Sequence, residues 1–129
     1  MGAITGVGQE DNGRYLKWQL SCEGVDVSAV KTDPKRLTAM VLLSIRGDND
    51  FPLIQYRENC ADMGLTAEDI DPDYLARAGA VLVTGTHLSR EGVRSATMKV
   101  LETAKRLGLK CILDIDFRPN LWGLQGHDA

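Results

Sequence analysis

No apolar run in this sequence approaches the roughly 20 residues needed to cross a bilayer; Ala78 to Val83 is among the longest. Nor is there an excess of basic charge: Lys and Arg total 15 against 18 Asp and Glu, a net charge of −3. No global positive field draws polyphosphate, which argues against nucleic acid as a partner. The opening Met-Gly-Ala-Ile-Thr-Gly-Val-Gly lacks the charged and apolar regions of a secretion signal. Cysteine is sparse too. Cys22, Cys60 and Cys111 are odd in number and form no Cys-x-x-Cys pair, a usage that fits reduced structural thiols and predicts a cytoplasmic protein without a disulfide frame or zinc site. Phosphate-cradling motifs are missing as well. Gly6-x-Gly8 lacks the third glycine of a dinucleotide fingerprint, since position 11 is Asp, and no Gly-Lys-Ser or Gly-Lys-Thr occurs.

What remains is a chain of 129 residues, 43% hydrophobic and 26% charged, with 13 Gly and 4 Pro. That size and mixture suit one folded domain. Residues 3–8 read as a short strand entering a Gly turn, after which Asp11 or Asn12 can cap a helix to about Cys22, with Tyr15, Leu16, Trp18 and Leu20 on its apolar side. Gly24 stops it. Residues 25–31, 37–46 and 53–57 are β-rich, with Gly47-Asp48-Asn49-Asp50 as a hairpin connection, and the whole block is expected to be antiparallel. Asp48-Asn49-Asp50 lacks the terminal bidentate Glu of a calcium loop and reads as a turn.

Farther on, Thr66 and Asp69 form a loose capping box ahead of a short helix. Ala78–Thr84 is a continuous apolar run, expected to be a strand buried on both faces. Ser89 is positioned to cap a helix whose Val93, Ala96, Thr97, Val100, Leu101, Ala104 and Leu107 recur at helical spacing until Gly108. Cys111–Asp116 supplies a further strand, and strand, helix, strand over about thirty residues is a βαβ unit. The class is α/β, with a parallel sheet and a β-rich excursion.

Ligands of open α/β sheets bind beyond the carboxyl ends of the strands, here Gly6–Gly8, Gly85–Ser89 and Asp114–Arg118. Thr86 is therefore a cleft candidate. Asp114 and Asp116, two apart on a strand, would leave one side of the backbone together. Two close carboxylates repel unless a metal, an arginine or a polar ligand meets them, and Arg118 or a helix N-terminus is an equally natural partner. Arg57, after Tyr56 at a strand end, suits a carboxylate or several hydroxyls; the competing expectation is a surface ion pair with Glu58 or Asp62. His87 reads as a polar loop residue, since no catalytic triad can be assembled from spacing. His127 falls in a Gly-rich tail expected to be unstructured.

Three segments are more specific together than singly: residues 53–63 (Leu-Ile-Gln-Tyr-Arg-Glu-Asn-Cys-Ala-Asp-Met), residues 82–89 (Leu-Val-Thr-Gly-Thr-His-Leu-Ser) and residues 113–122 (Leu-Asp-Ile-Asp-Phe-Arg-Pro-Asn-Leu-Trp). With the opening Gly6-Val7-Gly8 and the Gly24-Val25 step, they resemble the PfkB, or ribokinase-like, carbohydrate kinases, in order and over nearly the whole chain. Within that family the resemblance is greatest to the 5-dehydro-2-deoxygluconokinases of inositol breakdown.

The resemblance implies a partial ribokinase-like three-layer α/β domain with a parallel central sheet and a small β-sheet lid, residues 25–59 making up much of that lid. It implies ATP-dependent phosphorylation, with Mg2+, of a primary hydroxyl on a keto-deoxy sugar acid. Arg57 would be the lid arginine that contacts the acidic sugar, and Arg118 an arginine that approaches it from the acidic strand. Gln55 stands where the family commonly has an aromatic. Asp114 and Asp116 would shape the phosphate and metal side of the cleft. The family's Gly-Gly substrate motif and its Gly-Ala-Gly-Asp motif, whose Asp is the general base, are both absent. The expectation is an internal segment of a kinase, inactive alone and self-associating through its lid or sheet edges. The alternatives are a stand-alone sugar-binding or dimerisation module, and an unrelated Rossmann-like nucleotide binder.

Overall fold

A computed structural model describes residues 1–124; His127, expected in an unstructured tail, lies outside the described residues. The chain opens with strand β1 (Thr5–Gly8) and helix α1 (Asp11–Cys22). Neither Asp11 nor Asn12 caps α1, because the helix starts one residue earlier than expected and Glu10 occupies the cap position in extended backbone. The Glu10 carboxylate is engaged elsewhere. It accepts the Thr38 N–H at 3.0 Å, and the Thr38 hydroxyl in turn accepts the Gly8 N–H at 2.9 Å, so the end of β1 is tied to a distant segment. At the other end Gly24 N–H bonds to the Ser21 carbonyl and Val25 N–H to that of Leu20, the paired reversal that closes a helix on a left-handed residue. The expected apolar side of α1 is not buried: Tyr15 and Trp18 are exposed and only Gly13 is buried.

Strand β2 (Val30–Asp33) corrects the expectation of an antiparallel block, because it pairs parallel to β1, Thr5 opposite Val30 and Gly8 opposite Asp33. Helix α1 makes the crossover that a parallel pair requires. The antiparallel reading holds for β3 (Met40–Leu43) and β4 (Leu53–Tyr56), which pair Met40 with Tyr56 and Leu43 with Leu53. Gly47 and Asp50 bridge at the expected turn. This hairpin carries Val41, Leu43, Ile45 and Phe51 exposed to solvent.

The Thr66–Asp69 box forms, with the Thr66 N–H on the Asp69 carboxylate at 2.9 Å, but it opens a 3-10 turn (Ala67–Asp69) rather than an α-helix. Helix α2 (Pro72–Leu75) follows, capped by Asp71 through the Asp73 N–H at 2.9 Å. Strand β5 (Ala80–Thr84), helix α3 (Glu91–Arg106) and strand β6 (Lys110–Asp114) then form the βαβ unit, with β5 and β6 parallel from Ala80 opposite Lys110 to Thr84 opposite Asp114. Ser89 does not cap α3. It closes the 3-10 turn that ends at Leu88 and turns its hydroxyl back to the Thr86 carbonyl at 2.7 Å, leaving Arg90 at the cap position. Gly108, at φ +72°, ends the helix as expected.

The core lies under α3. Val93, Ala96, Val100 and Ala104 of the helix close over Val81 and Val83 of β5, joined by Leu65, Ile70 and Leu75. Fully burying a Val or Leu side chain stabilises by about 1.5–3 kcal/mol, so this one stripe carries most of the unit. Strand β5 is buried on that face alone: Leu82 remains 61% exposed, which corrects the expectation of burial on both faces. No element among the described residues covers the other side. The parallel sheet is present as two pairs, β1 with β2 and β5 with β6. An apolar cleft of about 760 Å³ is lined by Ala3 and Ile4 ahead of β1, Leu82 and Val83 of β5, and Val93 and Ala96 of α3.

Candidate functional site

Two loops that follow neighbouring parallel strands are pressed together backbone to backbone. A 3-10 turn (Gly85–Leu88) leaves β5, and a Cβ on Gly85 would collide with the carbonyl of Ile115 just past β6. Glycine is the residue that permits this approach. It sets the buried Thr86 hydroxyl 2.6 Å from the Asp116 carboxylate, to which it donates. Arg118 Nε donates to the other oxygen of Asp116 at 2.7 Å. The Thr86 hydrogen bond foremost, opposed by desolvation and reinforced by Arg118 and the field of Arg57, holds the Asp116 carboxyl below the usual carboxylate range.

Asp114 and Asp116 do not form the expected pair of carboxylates on one strand face. Strand β6 ends at Asp114, and Asp116 turns into left-handed backbone at φ +26°, a conformation costly for a non-glycine residue. The Asp114 carboxylate accepts the Asp116 N–H at 3.2 Å and so supports that turn from solvent.

The second half of the site follows β4. Asn59 adopts φ 52°, the left-handed region that Asn tolerates better than most side chains, and the chain reverses there. Cys60 Sγ reaches the Tyr56 carbonyl at 3.1 Å, and Ala61 N–H bonds to the Leu37 carbonyl at 2.8 Å. The reversal returns Asp62 to Arg57, and the two form an ion pair with side chains 9% and 16% exposed. His87 Nε2 stands 3.8 Å from the same Asp62 oxygen. Burial works to raise the Asp62 carboxyl, but the His87 imidazole and the Arg57 guanidinium outweigh it and keep the carboxyl below its ordinary range. Burial and the Asp62 charge push the Cys60 thiol up, which makes it a poor nucleophile.

Arg118 thus meets Asp116, Arg57 and His87 meet Asp62, and His87 is the sequence neighbour of the Thr86 that donates to Asp116. Thr86 itself is buried. Gln55 sits on β4 opposite Val41 with its side-chain carbonyl buried and without a partner in the protein. Arg118 pairs with Asp116 as its competing expectation has it, while Arg57 pairs with Asp62 in the interior rather than at the surface. His87, read from sequence as a polar loop residue, belongs to the cluster; its one sequence signal was its place just past a parallel strand. Among the described residues no group of three His, Cys, Asp or Glu could hold a metal ion, and both Asp116 oxygens are already bonded. These residues do not fit a resident Mg2+.

The chain matches the model of the pfkB family carbohydrate kinases over residues 1–127. It is 35% identical over 122 residues to the 5-dehydro-2-deoxygluconokinase of Geobacillus kaustophilus, and 31% identical over 122 residues to that of Photobacterium profundum. It spans 36% of the length of the first and 37% of the second, while 94% and 95% of this chain is matched. Among solved structures, an uncharacterized sugar kinase of Pyrococcus horikoshii in complex with ATP superposes with a TM-score of 0.86 at 29% identity, covering 95% of this chain and 39% of that one. A PfkB protein of Polaromonas gives 0.86 at 26% identity, over 94% of this chain and 41% of the other. The architecture is thus a partial ribokinase-like α/β domain, and the chain belongs to the pfkB family of carbohydrate kinases.

Proposed function

We propose that this chain is the sugar-facing segment of an ATP- and Mg2+-dependent kinase that phosphorylates a primary hydroxyl of a keto-deoxy sugar acid resembling 5-dehydro-2-deoxygluconate. The observation that carries the reading is the placing of Arg118 on Asp116 and of Arg57 and His87 on Asp62, with His87 next in sequence to the Thr86 that donates to Asp116. Two guanidiniums and a buried hydroxyl at strand ends suit an acidic, hydroxylated ligand. In this reading Gln55, Arg57 and Arg118 bind the substrate, and Thr86 and Asp116 shape the cleft floor. Asp114 has the lesser role of bracing the Asp116 turn. The hairpin of β3 and β4, within residues 25–59, acts as the flap.

The same geometry supports inactivity of the chain alone. A general base works best with a pKa near the working pH. Asp62 and Asp116 are both held in the opposite direction, below the ordinary carboxylate range, and the Gly-Ala-Gly-Asp run does not occur in the sequence. This chain orients a sugar, and the proton acceptor and phosphate donor site come from elsewhere in a longer protein. Three free cysteines support a reducing compartment such as the cytoplasm. No described helix is long and apolar enough to cross a membrane.

Exchange of the matched segment of the Geobacillus kinase for this one tests the reading. The exchanged enzyme is expected to phosphorylate 5-dehydro-2-deoxygluconate, with KM rising when Arg118 is replaced by Ala. A folded exchange product that binds ATP but does not transfer phosphate to that acid would overturn it. The isolated chain with MgATP is expected to give no product by phosphorus NMR. A second reading, a sugar-binding or dimerisation module without catalysis, is favoured by the apolar residues exposed on the hairpin. It requires saturable sugar binding by the isolated chain and no activity in the exchange enzyme.

A further inference from the structure

The buried pair of Arg57 and Asp62 is joined at a single point. Arg57 gives Nη2 to Asp62 Oδ2, while Arg57 Nε and Asp62 Oδ1 are both buried and without a hydrogen-bond partner in the protein. A guanidinium and a carboxylate bind most strongly through two parallel contacts, and here the second is not made. A third group stands at the occupied oxygen. His87 Nε2 lies 3.8 Å from Asp62 Oδ2, and closing by about 1 Å would make that approach a hydrogen bond. The two cationic side chains reach Asp62 from separate elements, Arg57 from the end of β4 and His87 from the turn after β5. Either can therefore hold the carboxylate while the other moves.

Asp62 cannot be left alone. Its side chain is 9% exposed, and a buried carboxylate that loses its only partner is strongly destabilising, because the charge that remains is uncompensated. A guanidinium that turns from Asp62 toward a ligand needs a substitute behind it. His87 is placed for that: its ring is partly exposed on the lining of the apolar cleft, and its Nε2 is already aligned on the oxygen that Arg57 would vacate. Hydrogen bonds that tighten only in the ligand complex are commonly long in the free protein.

We propose that His87 is a positioning residue for Arg57, taking over the Asp62 carboxylate when the guanidinium turns to the acidic group of the sugar. The imidazole donates its Nε2 hydrogen, which stays on the ring. The role in substrate binding rests on the reading of Arg57 as a contact to the sugar acid; the exchange of partners at Asp62 is independent of it.

The test begins with a double-mutant cycle in the 129-residue chain, read by the urea midpoint. His87→Phe keeps a ring and removes the donor. In the parent it should shift the midpoint little, because Arg57 still meets Asp62. In Arg57→Ala it should lower the midpoint severalfold more, and adding Asp62→Asn should abolish that difference. A ring that only fills space would cost the same in every background, and that result overturns the proposal. A second measurement decides the matter even where Arg57→Ala does not fold. In the exchanged Geobacillus enzyme His87→Phe should raise KM for 5-dehydro-2-deoxygluconate about tenfold with kcat nearly unchanged, and His87→Gln, which retains a donor, should restore most of it. If Arg57→Lys raises KM while His87→Phe does not, the proposal is overturned and the reading stands. If Arg57→Lys leaves KM unchanged, both are removed.

Discussion

The Thr86 hydroxyl donates to the Asp116 carboxylate over 2.6 Å, thirty residues apart in sequence, and so fastens the loop after β5 to the loop after β6. Thr86→Val keeps the shape and removes the donor. The Asp116 carboxyl should then titrate closer to its ordinary value, because the largest influence lowering it is gone, while Arg118 still holds it partly down. A carbon-detected NMR titration of the side-chain carboxyls measures this; an unchanged Asp116 midpoint would contradict the assignment.

Gly85→Ala sets a methyl group against the Ile115 carbonyl, a backbone atom that cannot rotate away. Overpacking of this kind costs about 1–3 kcal/mol. Urea unfolding should show that loss in the midpoint. Gly79→Ala, whose added Cβ meets nothing nearby, serves as the control and should change little.

Removing Arg57 leaves Asp62 buried with only His87 beside it. Breaking a buried pair from one side costs about 3–5 kcal/mol, and the remaining imidazole should keep Arg57→Ala near the lower figure. Adding Asp62→Asn ought to recover part of the loss, since the stranded charge disappears. A double mutant more unstable than the sum of the singles would refute this account of the pair.

Acid should unfold the chain through its depressed carboxyls. Asp33, drawn to about 2 by the Lys35 N–H and by Arg36, and Asp62 both have folded pKa values below their unfolded ones. Their contribution is complete above the unfolded value, 3.8 for Asp, and is lost as pH falls toward the folded value. Stability should be flat near neutrality and decline from about pH 5 toward pH 2. Asp33→Asn should make that decline shallower, as followed by circular dichroism across the range.

Strand β3 leaves Val41, Leu42 and Leu43 open to water, and Ile45 just beyond it is exposed as well. Exposed apolar strands of this kind recruit a second chain. Sedimentation of the isolated chain should show concentration-dependent association, reduced by Val41→Lys with Leu43→Lys. A parent chain that remains monomeric at high concentration would remove the case for pairing through the hairpin.

Local pattern was readable from the residues alone wherever one period or one turn decides the outcome. The spacing of Val93, Ala96, Val100 and Ala104 specified α3 and its buried side, the Gly-Asp-Asn-Asp turn specified the hairpin, and the ordering β5, α3, β6 specified a parallel pair. The sugar-kinase resemblance was equally legible, because three separated segments carried it together.

Pairing and facing were decided only in three dimensions. Strand β2 looks like any β-rich segment, and its choice of β1 over β3 depends on a crossover that composition does not encode. Apolarity in β5 says that burial is possible on both faces, while the neighbours present determine that one is covered. Asp114 and Asp116 alternate only as long as a strand continues, and the left-handed turn at Asp116 ends that rule and delivers its carboxylate to Thr86 and Arg118. Periodicity is a property of neighbours along the chain, whereas a binding site is made of groups that meet after the chain has turned back on itself.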